Sequence, residues 1–238
     1  MRLIALLALA LTAAAADRTV LAIGAHAGDM ELTTGALLAR YAKAGDRVVI
    51  LHLTLGERGK STPNYAQQKR TEAESAAKIL GAEVRFGPWK DSQLPSTEDA
   101  ARWIAAQIAD VRPTAILTHW KHSIHKDHSA TYRIVNDAIL FAAISGTRTV
   151  RATYYAENWE DAESFHPYVY IPVSAEDIAA WHRAAMAYEF THAAFSGFDY
   201  LRYYEGLQKV RGAEARKPYA IAFDIDEYGK RRILDTLP

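Results

Sequence analysis

Two short histidine-bearing segments carry the residue types that ligate cations or move protons. The first is Ala25-His26-Ala27-Gly28-Asp29-Met30-Glu31, and the second runs His119-Trp120-Lys121-His122-Ser123-Ile124-His125-Lys126-Asp127-His128. His26 with Asp29 three residues on, and His125, Asp127 and His128 close together, supply five metal-type or acid–base groups. Two imidazoles and one carboxylate, with a fourth position left open, suit a catalytic divalent ion such as zinc. The chain has nine histidines and no cysteine. Disulfides, thiolate zinc sites, iron–sulfur clusters and cysteine nucleophiles are thereby excluded, and any metal rests on His, Asp or Glu. Gly24 and Gly28 are not followed by a third glycine at the spacing of a dinucleotide-binding loop, which disfavours a nucleotide-binding α/β domain.

The elements that would position these segments alternate. Residues 18–25 form a short apolar run, and Leu32, Gly35, Ala36, Leu38, Ala39 and Ala42 then recur at helical spacing until Gly45-Asp46. A β-branched run at 47–53 precedes a helix over 66–80, whose face is marked by Ala73, Ala76, Ala77 and Leu80 and which stops at Gly81. Residues 84–86 read as a third strand, and 97–111 as a third helix with Thr97 as its cap and Pro113 beyond its end. Residues 114–118 read as a fourth strand, and 129–144 as a fourth helix. Such alternation predicts an α/β, Rossmann-like, mostly parallel sheet with helices on both faces and a core strand order of 3-2-1-4. Strands one and four are then neighbours where the winding reverses, so both histidine segments face one crevice at the carboxyl ends of their strands.

After about residue 150 the rhythm changes into a C-terminal extension. Strands are predicted at 149–156 and 168–173, a helix at 175–190 and a closing strand at 218–223. Most of the thirteen tyrosines fall in this part and read as half-buried aromatic core. His166, His182 and His192 lie outside both motifs and read as surface or core residues.

In order and spacing these segments resemble the LmbE-like (PIG-L) family of zinc-dependent N-deacetylases. The resemblance rests on AIGAH with Asp29 and Glu31, on TLGERG at 54–59, on KRTEAESAAKILG at 69–81 and on HKDH at 125–128. YYAENWED at 154–161, Arg211-Gly212 and PYAIAF at 218–223 extend it over nearly all of residues 17–238, read as one domain. The resemblance implies Zn2+ or another divalent metal on His26, Asp29 and His128, with His125 steadying the oxyanion or donating a proton. It implies that Asp127 orients the His125 ring and that Arg70 holds a substrate hydroxyl or phosphate. Asp91 falls near the family's sugar-contacting acidic loop. The implied reaction removes an acetyl group from a small N-acetylglucosamine-type sugar, conjugate or glycan fragment.

One position departs from the family pattern. Where the family has H-P-D-D, this chain has His26-Ala27-Gly28-Asp29, so Gly28 replaces the aspartate that serves as general base. Loss of a positioned base typically costs about 100- to 10,000-fold in rate. Three outcomes follow: a substitute base (Glu31, Glu157, Glu160 or His125, with Glu160 preferred), a non-catalytic metal- and carbohydrate-binding protein, or a different reaction that needs only a Lewis acid. Glu31 also suits the first turn of a helix for its charge alone.

Met1-Arg2 is followed by the apolar residues 3–16, ending Ala14-Ala15-Ala16 before Asp17. Residues 1–16 read as a signal peptide, which predicts a secreted or periplasmic protein with no membrane span after cleavage. Twenty-eight basic residues balance 28 acidic ones, so net charge supplies no attraction to nucleic acid or an anionic membrane.

Overall fold

A computed structural model describes residues 18–59, 62–160, 163–192 and 196–230. The segment read as a signal peptide, and Asp161 of the C-terminal motif, lie outside the described residues. The strands are β1 Thr19–Gly24, β2 Arg47–His52, β3 Glu83–Phe86, β4 Ala115–His119, β5 Ala152–Ala156, β6 Val169–Val173 and β7 Tyr219–Asp224. The helices are α1 Asp29–Lys43, α2 Tyr65–Leu80, α3 Glu98–Val111, α4 Lys126–Ile144, α5 Ala175–Ala185 and α6 Tyr200–Glu214. They surround one seven-stranded sheet of order β3-β2-β1-β4-β5-β7-β6. Strands β1 to β5 run parallel, whereas β7 is antiparallel to both β5 and β6. The 3-2-1-4 core is therefore present, with the change of winding between β1 and β4.

Alternation along β1 builds a core on each face of the sheet. Val20 and Ala22 join Leu37, Ile50, Trp181 and Phe223 on one face, while Leu21 and Ile23 join Val49, Ile104, Ile108 and Ile134 on the other. Helices α3 and α4 cover the second face; α1, α2, α5 and α6 cover the first. Trp181 of α5 is fully buried, donates its indole N–H to the Leu32 carbonyl at 3.0 Å and fits over Gly35, where a Cβ would meet its ring at 3.1 Å. The chain passes from β5 into a loop bearing Asn158, Trp159 and Glu160, which closes over the ends of β1 and β4.

Three elements differ from the sequence reading. Helix α4 starts at Lys126 rather than Ser129, because His125 itself caps it, its ring nitrogen accepting from the Asp127 N–H at 3.3 Å. Helix α5 ends at Ala185, not at residue 190. Beyond it, the Thr191 hydroxyl donates to the carbonyls of Ala185 (3.0 Å) and Tyr188 (2.8 Å), holding a turn in place of another helical repeat. Helix α6 is additional; Asp199 caps it through the Arg202 N–H at 3.0 Å.

Candidate metal centre

The site forms where two helix N-termini meet at the carboxyl ends of β1 and β4. After Gly24 the chain turns sharply, and the Asp29 carboxylate accepts the His26 N–H at 2.7 Å, closing the His26-Ala27-Gly28-Asp29 loop on itself. The Ala25 N–H reaches His119 Nε2 at 3.0 Å, which ties this loop to the last residue of β4. Gly28 stands before α1 with φ of +110°, a conformation that suits glycine.

Three ligand-type atoms then lie at the corners of a nearly equilateral triangle. His26 Nδ1 is 3.2 Å from His128 Nε2, Asp29 Oδ2 is 3.3 Å from His26 Nδ1, and Asp29 Oδ2 is 3.4 Å from His128 Nε2. Tetrahedral ligands about 2.0–2.1 Å from zinc stand roughly 3.3–3.4 Å apart, so these atoms fit one face of such a site. His119 was not singled out from the sequence. Its Nε2 lies 3.1 Å from the same Asp29 oxygen and its ring stacks on His128 at 4.1 Å. Its place at the carboxyl end of a central strand was the available signal.

The far nitrogen of each ligand-type imidazole faces carboxylate. Buried His26 Nε2 lies 3.4 Å from both Asp91 Oδ1 and Asp127 Oδ2. His128 Nδ1 lies 2.8 Å from Glu160 Oε1 and 3.2 Å from Asn158 Nδ2. Carboxylates in this relation fix the tautomer and raise the basicity of a ligating histidine. Asp127 thus differs from its expected role: its carboxylate accepts the Ser92 N–H at 2.7 Å and faces His26, while only its backbone N–H touches His125. Asp91, expected to contact a sugar, accepts the Arg58 N–H at 3.0 Å and also faces His26, yet it still lines the cavity.

Charge is concentrated here. Burial, the largest single influence, opposes the protonated form of His26 and of His128, but the surrounding carboxylates together outweigh it: Asp29, Asp127 and Asp91 hold His26 well above the usual imidazole range, and Asp29 with Glu160 holds His128 at about 9. Burial likewise opposes ionisation of Asp29, and His128 and His26 together hold its carboxyl well below the usual range. Burial and the His128 charge push His119 down to about 4. Protons on the two imidazoles balance the charge of Asp29. His125 is kept towards its neutral form by burial and by the charges of His26 and His128.

A cavity of about 200 Å³ opens beside the triangle, lined among others by Asp91, His125, Glu160, Trp159, Phe190 and Tyr200. Arg70 does not reach it; its guanidinium lies 3.9 Å from the centre of the Phe86 ring. Lys69 lines it instead, one residue and about 100° earlier around the helix. Its ammonium donates to the Ala27 carbonyl at 3.1 Å and lies 4.1 Å from the Phe190 ring centre, and burial lowers its pKa to about 8.

Of the substitute bases, Glu31 is fully buried and receives the Tyr188 hydroxyl at 2.6 Å, with His52 Nε2 at 3.2 Å. Glu157 pairs with Arg211 at 2.7 Å, under a different surface. Glu160 borders the cavity but is engaged behind His128. A Cβ added at Gly28 would lie 2.6 and 2.7 Å from two Phe190 ring atoms, so an aromatic ring fills the space that a side chain at position 28 would need.

An open α/β sheet bearing, at its switch point, a His/carboxylate cluster that could hold a cation defines the architecture. The sequence pattern of the family described as GlcNAc-PI de-N-acetylase, PIG-L, matches residues 21–139, half of the 238-residue chain, and the chain belongs to this family. A 1D-myo-inositol 2-acetamido-2-deoxy-alpha-D-glucopyranoside deacetylase of Thermomonospora curvata is 32% identical over 160 residues, covering 53% of this chain and 54% of that protein. A 4-oxalmesaconate hydratase of Pseudomonas putida is 27% identical over 141 residues, covering 55% of each. The chain spans about half the length of the first curated relatives it matches. The fold is also that of N,N'-diacetylchitobiose deacetylase from Pyrococcus horikoshii, with a TM-score of 0.72 at 15% identity, covering 88% of this chain and 84% of that one.

Proposed function

We propose that the protein is a zinc-dependent hydrolase that removes the acetyl group from a small N-acetylglucosamine-type sugar or conjugate. The observation that carries this reading is the triangle of His26 Nδ1, Asp29 Oδ2 and His128 Nε2, with edges of 3.2–3.4 Å beside an open cavity. A divalent ion held there supplies Lewis acidity and a bound water that ionises near pH 7.

The chain's own groups do the rest. Asp91 and Asp127 hold the His26 ring, and Glu160 with Asn158 holds His128. His125 Nδ1 accepts the Asp127 N–H, so in the neutral ring the proton sits on Nε2. That N–H donates to the oxygen that gains charge as the amide carbonyl is attacked. Glu160 is a positioning residue in this reading and not the base. The relatives named as deacetylases act on sugar amides, which supports the substrate class.

A second reading rests on the Pseudomonas putida relative, whose name describes addition of water to a double bond, a reaction that a Lewis acid in this site would also serve. Acetate release from a panel of N-acetyl sugars, with and without zinc, tests the first reading. Stoichiometric zinc binding without acetate release overturns it, and turnover of an unsaturated carboxylic acid by the same sample establishes the second. We propose further that residues 1–16 direct export. Recovery of the protein from the periplasm or medium without these residues is the expected result, and retention of the intact chain in the cytoplasm would refute it.

A further inference from the structure

We infer that Phe190 sets the size of the acyl group this site accepts, restricting it to acetyl; this rests on the deacylation reading above. The cavity lining mixes two kinds of group. Asp91, His125 and Glu160 bring polar atoms, which suit the hydroxyls of a sugar. Leu32 and Phe190 bring hydrocarbon. An N-acyl sugar combines the same two kinds of group, so its acyl carbons belong against Leu32 and Phe190.

Phe190 is pressed against the backbone next to Asp29. Its ring atoms come within 2.6–2.7 Å of where a Cβ at Gly28 would be, and Tyr188 and Tyr200 rings flank it with centres 5.5 Å away. The Lys69 ammonium sits 4.1 Å from its ring centre and the Ala27 carbonyl holds that ammonium in turn. The ring is thus bounded by Tyr188, Tyr200 and the Lys69 ammonium, which places it as a wall beside the cation site. Extra methylenes on the acyl group would have to displace it.

The test uses zinc-loaded protein and a series of straight-chain hydroxamic acids, acetyl to hexanoyl, whose hydroxamate chelates the metal and whose tail samples the neighbouring wall. Binding is followed by calorimetry, which requires no turnover. In the wild type, affinity should fall at least about tenfold from acetyl to butyryl. In Phe190→Ala it should instead rise with length, by up to about fourfold per methylene that becomes buried. Phe190→Leu, closer in volume and less disruptive of folding, should lie between. A length profile unchanged by either substitution, or no hydroxamate binding at all, overturns the inference. A Phe190-dependent profile in a protein that releases no acetate from any N-acetyl sugar would sink the deacetylase reading while leaving the acyl stop standing.

Discussion

The parallel half of the sheet and the antiparallel C-terminal part meet at one cavity but contribute different kinds of group. From β1, β4 and the helices that follow them come all three atoms of the cation triangle, together with His119 and His125. From beyond residue 150 come Glu160 and Asn158 behind His128, Tyr188 on Glu31 and Phe190 over Gly28. One half carries the ligand-type atoms, and the other packs behind them and shapes the cavity. A change in the first should therefore abolish binding, and a change in the second should grade it.

The sharpest way to break that division is to remove a corner of the triangle. Asp29→Ala should lose stoichiometric zinc, read by metal analysis after dialysis, because two imidazoles alone leave the site short of a ligand and of its charge. Full zinc retention would mean that the triangle is not the site.

The next effect crosses the two halves. Gly28→Asp alone should not speed hydrolysis, since Phe190 occupies the space and the positive φ adds strain. Gly28→Asp combined with Phe190→Ala should raise acetate release about 100-fold or more, the usual worth of a positioned base. Equal gains from the single and the double variant would show that the ring is no obstacle.

A smaller, graded loss is expected behind His128. Glu160→Gln should weaken zinc affinity or activity by about 10- to 100-fold, as loss of a carboxylate partner to a ligating histidine does elsewhere. A loss as complete as that of Asp29→Ala would make Glu160 a ligand in its own right.

The same division governed what could be read from sequence. Strands β1, β2 and β4 were legible because both of their faces are buried, giving nearly continuous apolar runs, and the helices between them because Gly45, Gly81 and Pro113 mark their ends. His26, Asp29, His125 and His128 were legible because a sheet of this order brings the ends of β1 and β4 together. Lys69 was within reach as well: it stands four residues before Ala73 and seven before Ala76, on the buried face of α2, whereas Arg70 does not. The start of α4 was missed because histidine is an unusual cap. The fit of Phe190 to Gly28 spans 162 positions and arises from packing alone, which no local pattern encodes.

The mildest prediction separates the two states of the triangle by pH. His128 has an ordinary value of 6.5 and is raised to about 9 in the folded chain without a cation, where burial opposes its charge but Asp29 and Glu160 favour it. Its contribution to stability is therefore complete below pH 6.5 and is lost as pH rises through 9. Lys69 acts in the opposite sense. Its value falls from 10.5 to about 8, so the unfolded chain binds more protons between those limits and stability rises with pH there. The metal-free protein should thus lose stability most clearly between about pH 6.5 and 8, read as a falling urea midpoint. With zinc in place the imidazoles bind the ion and not protons, and this decline should disappear. An identical decline in the zinc-loaded protein would mean that His128 stays protonated in both states, which is incompatible with its serving as a ligand. Glu160→Gln should make the decline smaller and end it at a lower pH, with its onset still near 6.5, since one of the groups favouring the His128 charge is gone.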